Sequence, residues 1–151
     1  MVLLWLLSMC CTQDDQNIIL DVKTIVNKDP DEVEEILGKP DSTYTSHMMG
    51  KSVFCQLYKN VQTIEIQYPG SRATDIVVYG TSGLPFDQTA LSAFNLDYGK
   101  QHPSDYRKGR LIRWSDFGQF SSISFYNTRQ DNGHNIIAFD IFFKAKGMTG
   151  R

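Results

Sequence analysis

The stretch Asp29–Pro40, DPDEVEEILGKP, constrains this chain most. Asp29 is placed to accept the orphan N–H groups of a first helical turn. Pro30 takes the first helical position, where its missing N–H costs nothing. Glu32 stands three residues after Asp29, as in a capping box. Asp31, Glu32, Glu34 and Glu35 suit the half of a helix where the dipole favours negative charge. Val33, Ile36 and Leu37 at i, i+3 and i+4 make one narrow apolar face, expected to pack on a sheet. Gly38 favours the left-handed conformation that ends a helix, and Pro40 prevents its resumption. A helix of about two turns does not persist alone. It needs a platform, and the segments after it have the pattern of strands.

Val53–Tyr58 alternates Val53, Cys55 and Leu57 against Phe54, Gln56 and Tyr58. Gln62–Tyr68 sets Ile64, Ile66 and Tyr68 on one face and Thr63, Glu65 and Gln67 on the other, the pattern of a half-buried antiparallel strand. Lys59-Asn60 and Pro69-Gly70-Ser71 make turns, and Asp75–Tyr79 is a third strand. Before the capped helix, Ile18, Val22, Ile25 and Val26 fall near helical spacing, which predicts a short helix at about Leu20–Val26. Asp41–Lys51 reads as a polar loop.

After the linker Gly80–Pro85 the pattern recurs. Asp87–Phe94 is helix-like, with Leu91 and Phe94 as anchors and Asp87 as its cap. A basic loop, Asp97–Arg110, leads to a strand at Leu111–Ser115. Ser121–Tyr126 then points Ile123 and Phe125 inward, and Asp131-Asn132-Gly133 is a turn. Asn135–Phe143 sets Ile137, Phe139, Ile141 and Phe143 on one face. The fold expected is α+β: a tandem α-β-β-β repeat, residues 20–80 and 85–145, forming one antiparallel sheet with short helices on one face. Residues 18–146 are then a single domain, preceded by a signal-like segment and tether at 1–17 and followed by a tail at 147–151.

With 41% hydrophobic and 12% aromatic residues in 151, the chain can bury a core. The net charge of −2 excludes a general nucleic-acid binder. Positive charge gathers at Lys100, Arg107, Lys108, Arg110 and Arg113, as a solvated loop or a site for a phosphate or an acidic partner.

The first residues, MVLLWLLSM, are apolar but far short of the roughly 20 needed to span a bilayer. Leu7-Ser8-Met9-Cys10 resembles a bacterial lipobox, so Cys10 or Cys11 is the expected lipidation site. A bacterial cell-envelope location with a lipid anchor in the membrane follows from it. Met9 before the cysteine and the missing Lys or Arg depart from that pattern. The competing expectation is a buried N-terminal strand of a soluble cytoplasmic protein. Cys55 lies in a strand pattern, where a cysteine behaves as a small core hydrophobe, unless it pairs with Cys11.

No catalytic motif stands out. His47, His102 and His134 fall in predicted loops. No serine sits in a Gly-x-Ser-x-Gly elbow, and no phosphate loop or dinucleotide fingerprint occurs. No spacing suggests zinc, and His47-Met48-Met49 is a weak soft-metal set. The expectation is a protein that is not an enzyme and holds no cofactor or metal.

The segment VEEILGKP, with Val33, Leu37, Gly38 and Pro40, precedes a loop, a Tyr-bearing strand and an Ile-x-Ile strand. This order resembles the β-lactamase-inhibitor-protein-like superfold and is similar to SmpA/OmlA-type and uncharacterised bacterial lipoproteins. The resemblance covers about 50 residues and is loose over the second half. It implies a protein that works by contact, as a protein-binding or scaffold module. The helices should cover one sheet face. The other should expose Glu65, Gln67, Ser124 and Tyr126, with Arg113 nearby, as the partner-binding surface. An inhibitor or immunity protein that blocks an enzyme with loop Tyr44–Gly50 or Tyr98–Tyr106 is the second reading. A small hydrolase is the third.

Overall fold

A computed structural model describes residues 17–48, 50–130 and 136–147. The capped helix forms as α2, Pro30–Leu37. The Asp29 carboxylate accepts from the Glu32 N–H at 2.9 Å and the Glu32 carboxylate accepts from the Asp29 N–H at 2.9 Å. Gly38 ends it at φ 81°. Val33 is fully buried and Leu37 packs against the core, but Ile36 is 45% exposed. The three-residue apolar face is therefore corrected to two. In a helix of eight residues only Val33 and Leu37 reach the core, and Ile36 falls on the solvent side. The shorter helix α1, Val22–Ile25, buries Val22 and Ile25.

Among the described residues eight strands form one antiparallel sheet: β1 Ser42–Met48, β2 Lys51–Lys59, β3 Thr63–Tyr68, β4 Asp75–Tyr79, β5 Asp105–Arg107, β6 Leu111–Phe117, β7 Phe120–Gln130 and β8 Ile136–Ala145. Their order is β1-β2-β3-β4-β8-β7-β6-β5, two four-stranded meanders joined through β4 and β8. Each half therefore carries four strands, not the expected three. The extra strand in the first half is β1, read from sequence as the loop Asp41–Lys51. It lies at the sheet edge and is exposed along nearly its whole length, so no apolar face marks it. In the second half β5 emerges from the basic loop and is three residues long.

One sheet face carries the core. Ile64, Ile66, Tyr68, Ile76 and Val78 of the first half are continuous with Trp114, Ile123, Phe125, Ile141 and Phe143 of the second. Val22, Ile25 and Val33 cover the first half. The 3₁₀ helix Gln88–Phe94, capped by Asp87, covers the second with Leu91 and Phe94. Ring contacts at 5.0 Å between Trp114 and Phe125, and at 5.2 Å between Phe125 and Phe139, tie the second half together. The Ile19 N–H donates to the Ala93 carbonyl at 2.7 Å and Asn95 donates to Asp21 at 2.6 Å, so the N-terminal segment clamps the helices of both halves.

Candidate functional site

Cross-strand neighbours in a sheet share a face. The register aligns Leu57 with Glu65, Glu65 with Val77, Val77 with Phe142, Phe142 with Ser124, and Ser124 with Arg113. These residues make one row across the face that the helices leave open. Arg113 and Tyr126 of the second half and Glu65 and Gln67 of the first thus belong to one surface, as expected from sequence.

That surface is a cleft rather than a plane. Met48 on β1 and Arg113 on β6 line the same hollow of about 460 Å³. Six strand steps separate those two strands, which is roughly 29 Å in a flat sheet at about 4.8 Å per step. The sheet curls around its open face. This curvature corrects the expectation that Glu65, Gln67 and Ser124 are exposed: they are 8%, 7% and 4% exposed. The half-buried reading of β3 fails for the same reason, since every residue from Ile64 to Tyr68 is buried. Tyr126 and Phe142 stand clear, at 36% and 37% exposure.

At one end of the row the Arg113 side chain donates from Nε to Ser124 Oγ at 3.1 Å and from Nη2 to the Tyr126 hydroxyl at 2.7 Å. Both partners are neutral. Asp105 lies directly opposite Arg113 on β5, but its carboxylate pairs with Arg107 at 3.4 Å. The Tyr126 ring meets Phe142 edge-on, with centroids 5.2 Å apart at 87°. The result is a guanidinium beside two aromatics, the composition of contact hot spots.

At the other end the Glu65 carboxylate accepts from the Gln67 side-chain amide and from the Tyr79 hydroxyl, the latter at 2.9 Å. Again both partners are neutral, and no cation pairs with Glu65 among the described residues. Burial first, and Glu65 second, push the Tyr44 and Tyr79 phenols above their ordinary range. Between the ends, Val77 forms an apolar floor under Phe142. The sequence did not mark Val77 for this surface, and it marked Met48 only as part of a weak soft-metal set. The alternation of Val77 against Ile76 and Val78 was the available signal for the first. The charged groups that flank the row are satisfied locally. Lys144 meets Asp75 at 3.8 Å, and Asp140 accepts the Gly80 N–H at 2.8 Å.

The remaining sites fall elsewhere. Cys10, Cys11 and His134 lie outside the described residues. Cys55 carries a free, buried thiol facing Ser46, and burial pushes it up. His47 is on strand β1 rather than in a loop, and its Nδ1 lies 3.5 Å from the Ser52 hydroxyl. Tyr44–Gly50 is likewise largely strand, so that candidate inhibitory segment lies on the exposed edge strand β1 rather than in a loop. Among the described residues no three His, Cys, Asp or Glu side chains cluster to hold a metal. No helix among them is long and apolar enough to cross a membrane.

No protein-family model matches this chain, and no curated protein matches it. Among solved structures it is similar to a cysteine-rich secretory protein from Staphylococcus aureus subsp. aureus Mu50, at 17% identity and a TM-score of 0.46. That alignment covers 86% of this chain and 48% of the other, so the chain spans about half of its neighbour.

Proposed function

We propose that this chain is a non-catalytic protein-binding or scaffold module of the bacterial cell envelope, and that its contact surface is the curled open sheet face. The observation that carries the reading is Arg113 held between Ser124 and Tyr126 at the rim of a cleft, with Phe142 beside it. Rigidly held aromatics and arginines bind at low entropic cost. Strand β5 continues the face, because Arg107 stands opposite Leu111, which stands opposite Tyr126. The mirrored strand order supports reading the two halves as a tandem repeat of the β-lactamase-inhibitor-protein-like kind. The lipobox-like Leu7–Cys10 supports a lipid anchor on Cys10 or Cys11.

The test is expression of the full chain in a bacterial envelope, followed by fractionation and capture of bound proteins. The reading predicts membrane partitioning that is lost when Cys10 and Cys11 are both changed to Ser. It also predicts a captured protein that is lost in Arg113→Ala and Tyr126→Ala. Capture that survives both changes moves the contact to the loop before β5, as the inhibitor reading requires. Turnover of a substrate that one His or Ser substitution abolishes would replace both readings by an enzyme.

A further inference from the structure

Glu65 and Arg113, opposite charges on the open face, make no ion pair among the described residues, and the register puts them in one row. Glu65 is nine-tenths buried, and its carboxylate meets the Gln67 amide and the Tyr79 and Tyr44 hydroxyls, none of them a cation. Arg113 is bonded only to Ser124 and Tyr126. Burying a charge without a counter-charge is costly, so Glu65 gains from a cation brought in from outside, while Arg113, half-buried at the rim, keeps N–H donors for an anion. Val77 and Phe142 lie between them on β4 and β8. Glu65 on β3 and Arg113 on β6 are four strand steps apart, roughly 19 Å along the sheet at about 4.8 Å per step.

We infer that the cleft reads an extended segment of a partner protein laid across the strands. That segment presents a basic side chain to Glu65, an apolar one to Val77 and Phe142, and a carboxylate to Arg113. An extended chain advances about 3.3 Å per residue, so the basic and acidic residues are separated by about five or six positions, fewer if the curl shortens the path. The other charges on the face lie outside this row: Lys144 pairs with Asp75, and Asp140, which accepts the Gly80 N–H, stands opposite Tyr126 in the neighbouring row. This inference rests on the open face being the contact surface, and it adds the chemistry of what binds there.

The test uses short synthetic peptides with blocked ends and the purified protein. Each peptide carries one Lys and one Glu with a Leu midway and Gly or Ser elsewhere, in both chain orders, at separations from about two to about eight positions. Affinity should peak at about five or six positions and fall about tenfold at the short separations. Glu65→Gln, which keeps the side chain's size, should abolish the dependence on Lys alone. Arg113→Gln should abolish the dependence on Glu alone. Each change should weaken the best peptide about tenfold, the loss expected for one well-formed charged contact. Affinity that ignores the separation, persists in either variant, or is absent for every peptide overturns the inference. Those results leave envelope capture through Arg113 and Tyr126 as a separate question, so the two readings fail independently. Thermal unfolding midpoints of both variants, matched to wild type, exclude misfolding as the cause.

Discussion

Arg113 donates from Nη2 to the Tyr126 hydroxyl at 2.7 Å, so the cation and the aromatic of the open face behave as one unit. Each of Arg113→Ala and Tyr126→Ala should cost about 2 kcal/mol or more of partner affinity. The double variant should lose less than the sum, because each change already breaks the shared hydrogen bond. A double-mutant cycle on the captured partner measures this coupling. Strictly additive losses would mean that the pair acts as two separate contacts.

The association rate should fall as salt is added. Arg107 pairs with Asp105, but Lys108 and Arg110, in the turn between β5 and β6, and Lys100 in the preceding loop are exposed. Exposed charge of one sign steers an oppositely charged partner, and salt screens it. Stopped-flow or surface-plasmon measurements at several ionic strengths check this. A salt-independent rate would remove the basic loop from the encounter.

Helix α2 should depend on Val33 rather than on Ile36. Val33 is fully buried, so Val33→Ala should cost about 1.5–3 kcal/mol of unfolding free energy. Ile36 is 45% exposed, and Ile36→Ala should stay within about 0.5 kcal/mol. Urea denaturation of the two variants decides it, and equal costs would mean that the helix is rotated from the position described.

This contrast marks where the sequence is legible. Asp29, Glu32 and Gly38 cap α2 with contacts a few residues apart, so the helix and its ends can be read locally. The same holds for the inward alternation of Ile64, Ile66 and Tyr68. Strand β1 could not be read, because Ser42–Met48 has no buried face to alternate. The burial of Glu65 and Gln67 could not be read either. It comes from a curl accumulated over eight strands, which no local pattern encodes. The residues of the open face were legible by their alternation. Their alignment into a row from Glu65 to Arg113 depends on the register of five strands.

Acid should weaken the anchoring of α2. The Asp29 backbone N–H first and the Lys28 ammonium next hold the Glu32 carboxyl at about 2, against an ordinary 4.5. A depressed value stabilises the fold fully above about 4.5, and that stabilisation is lost as the pH falls toward 2. Glu32 also meets Lys28 at 2.9 Å and Arg72 at 2.8 Å, both at the surface, so salt should reduce the effect. Thermal midpoints of wild type and Glu32→Gln should differ near neutral pH and converge near pH 2. A constant gap over that range would contradict the assignment.

The most direct measurement of the central claim places a photo-crosslinking amino acid at Phe142, in the middle of the open face, and in a second protein at the exposed helix position Glu35. Irradiation in living cells should give a discrete adduct from position 142 and none from position 35. Adding Arg113→Ala should abolish the adduct while the protein remains folded. Adducts of equal yield from both positions, or an adduct at position 142 that is indifferent to Arg113, would contradict a contact surface on the curled face.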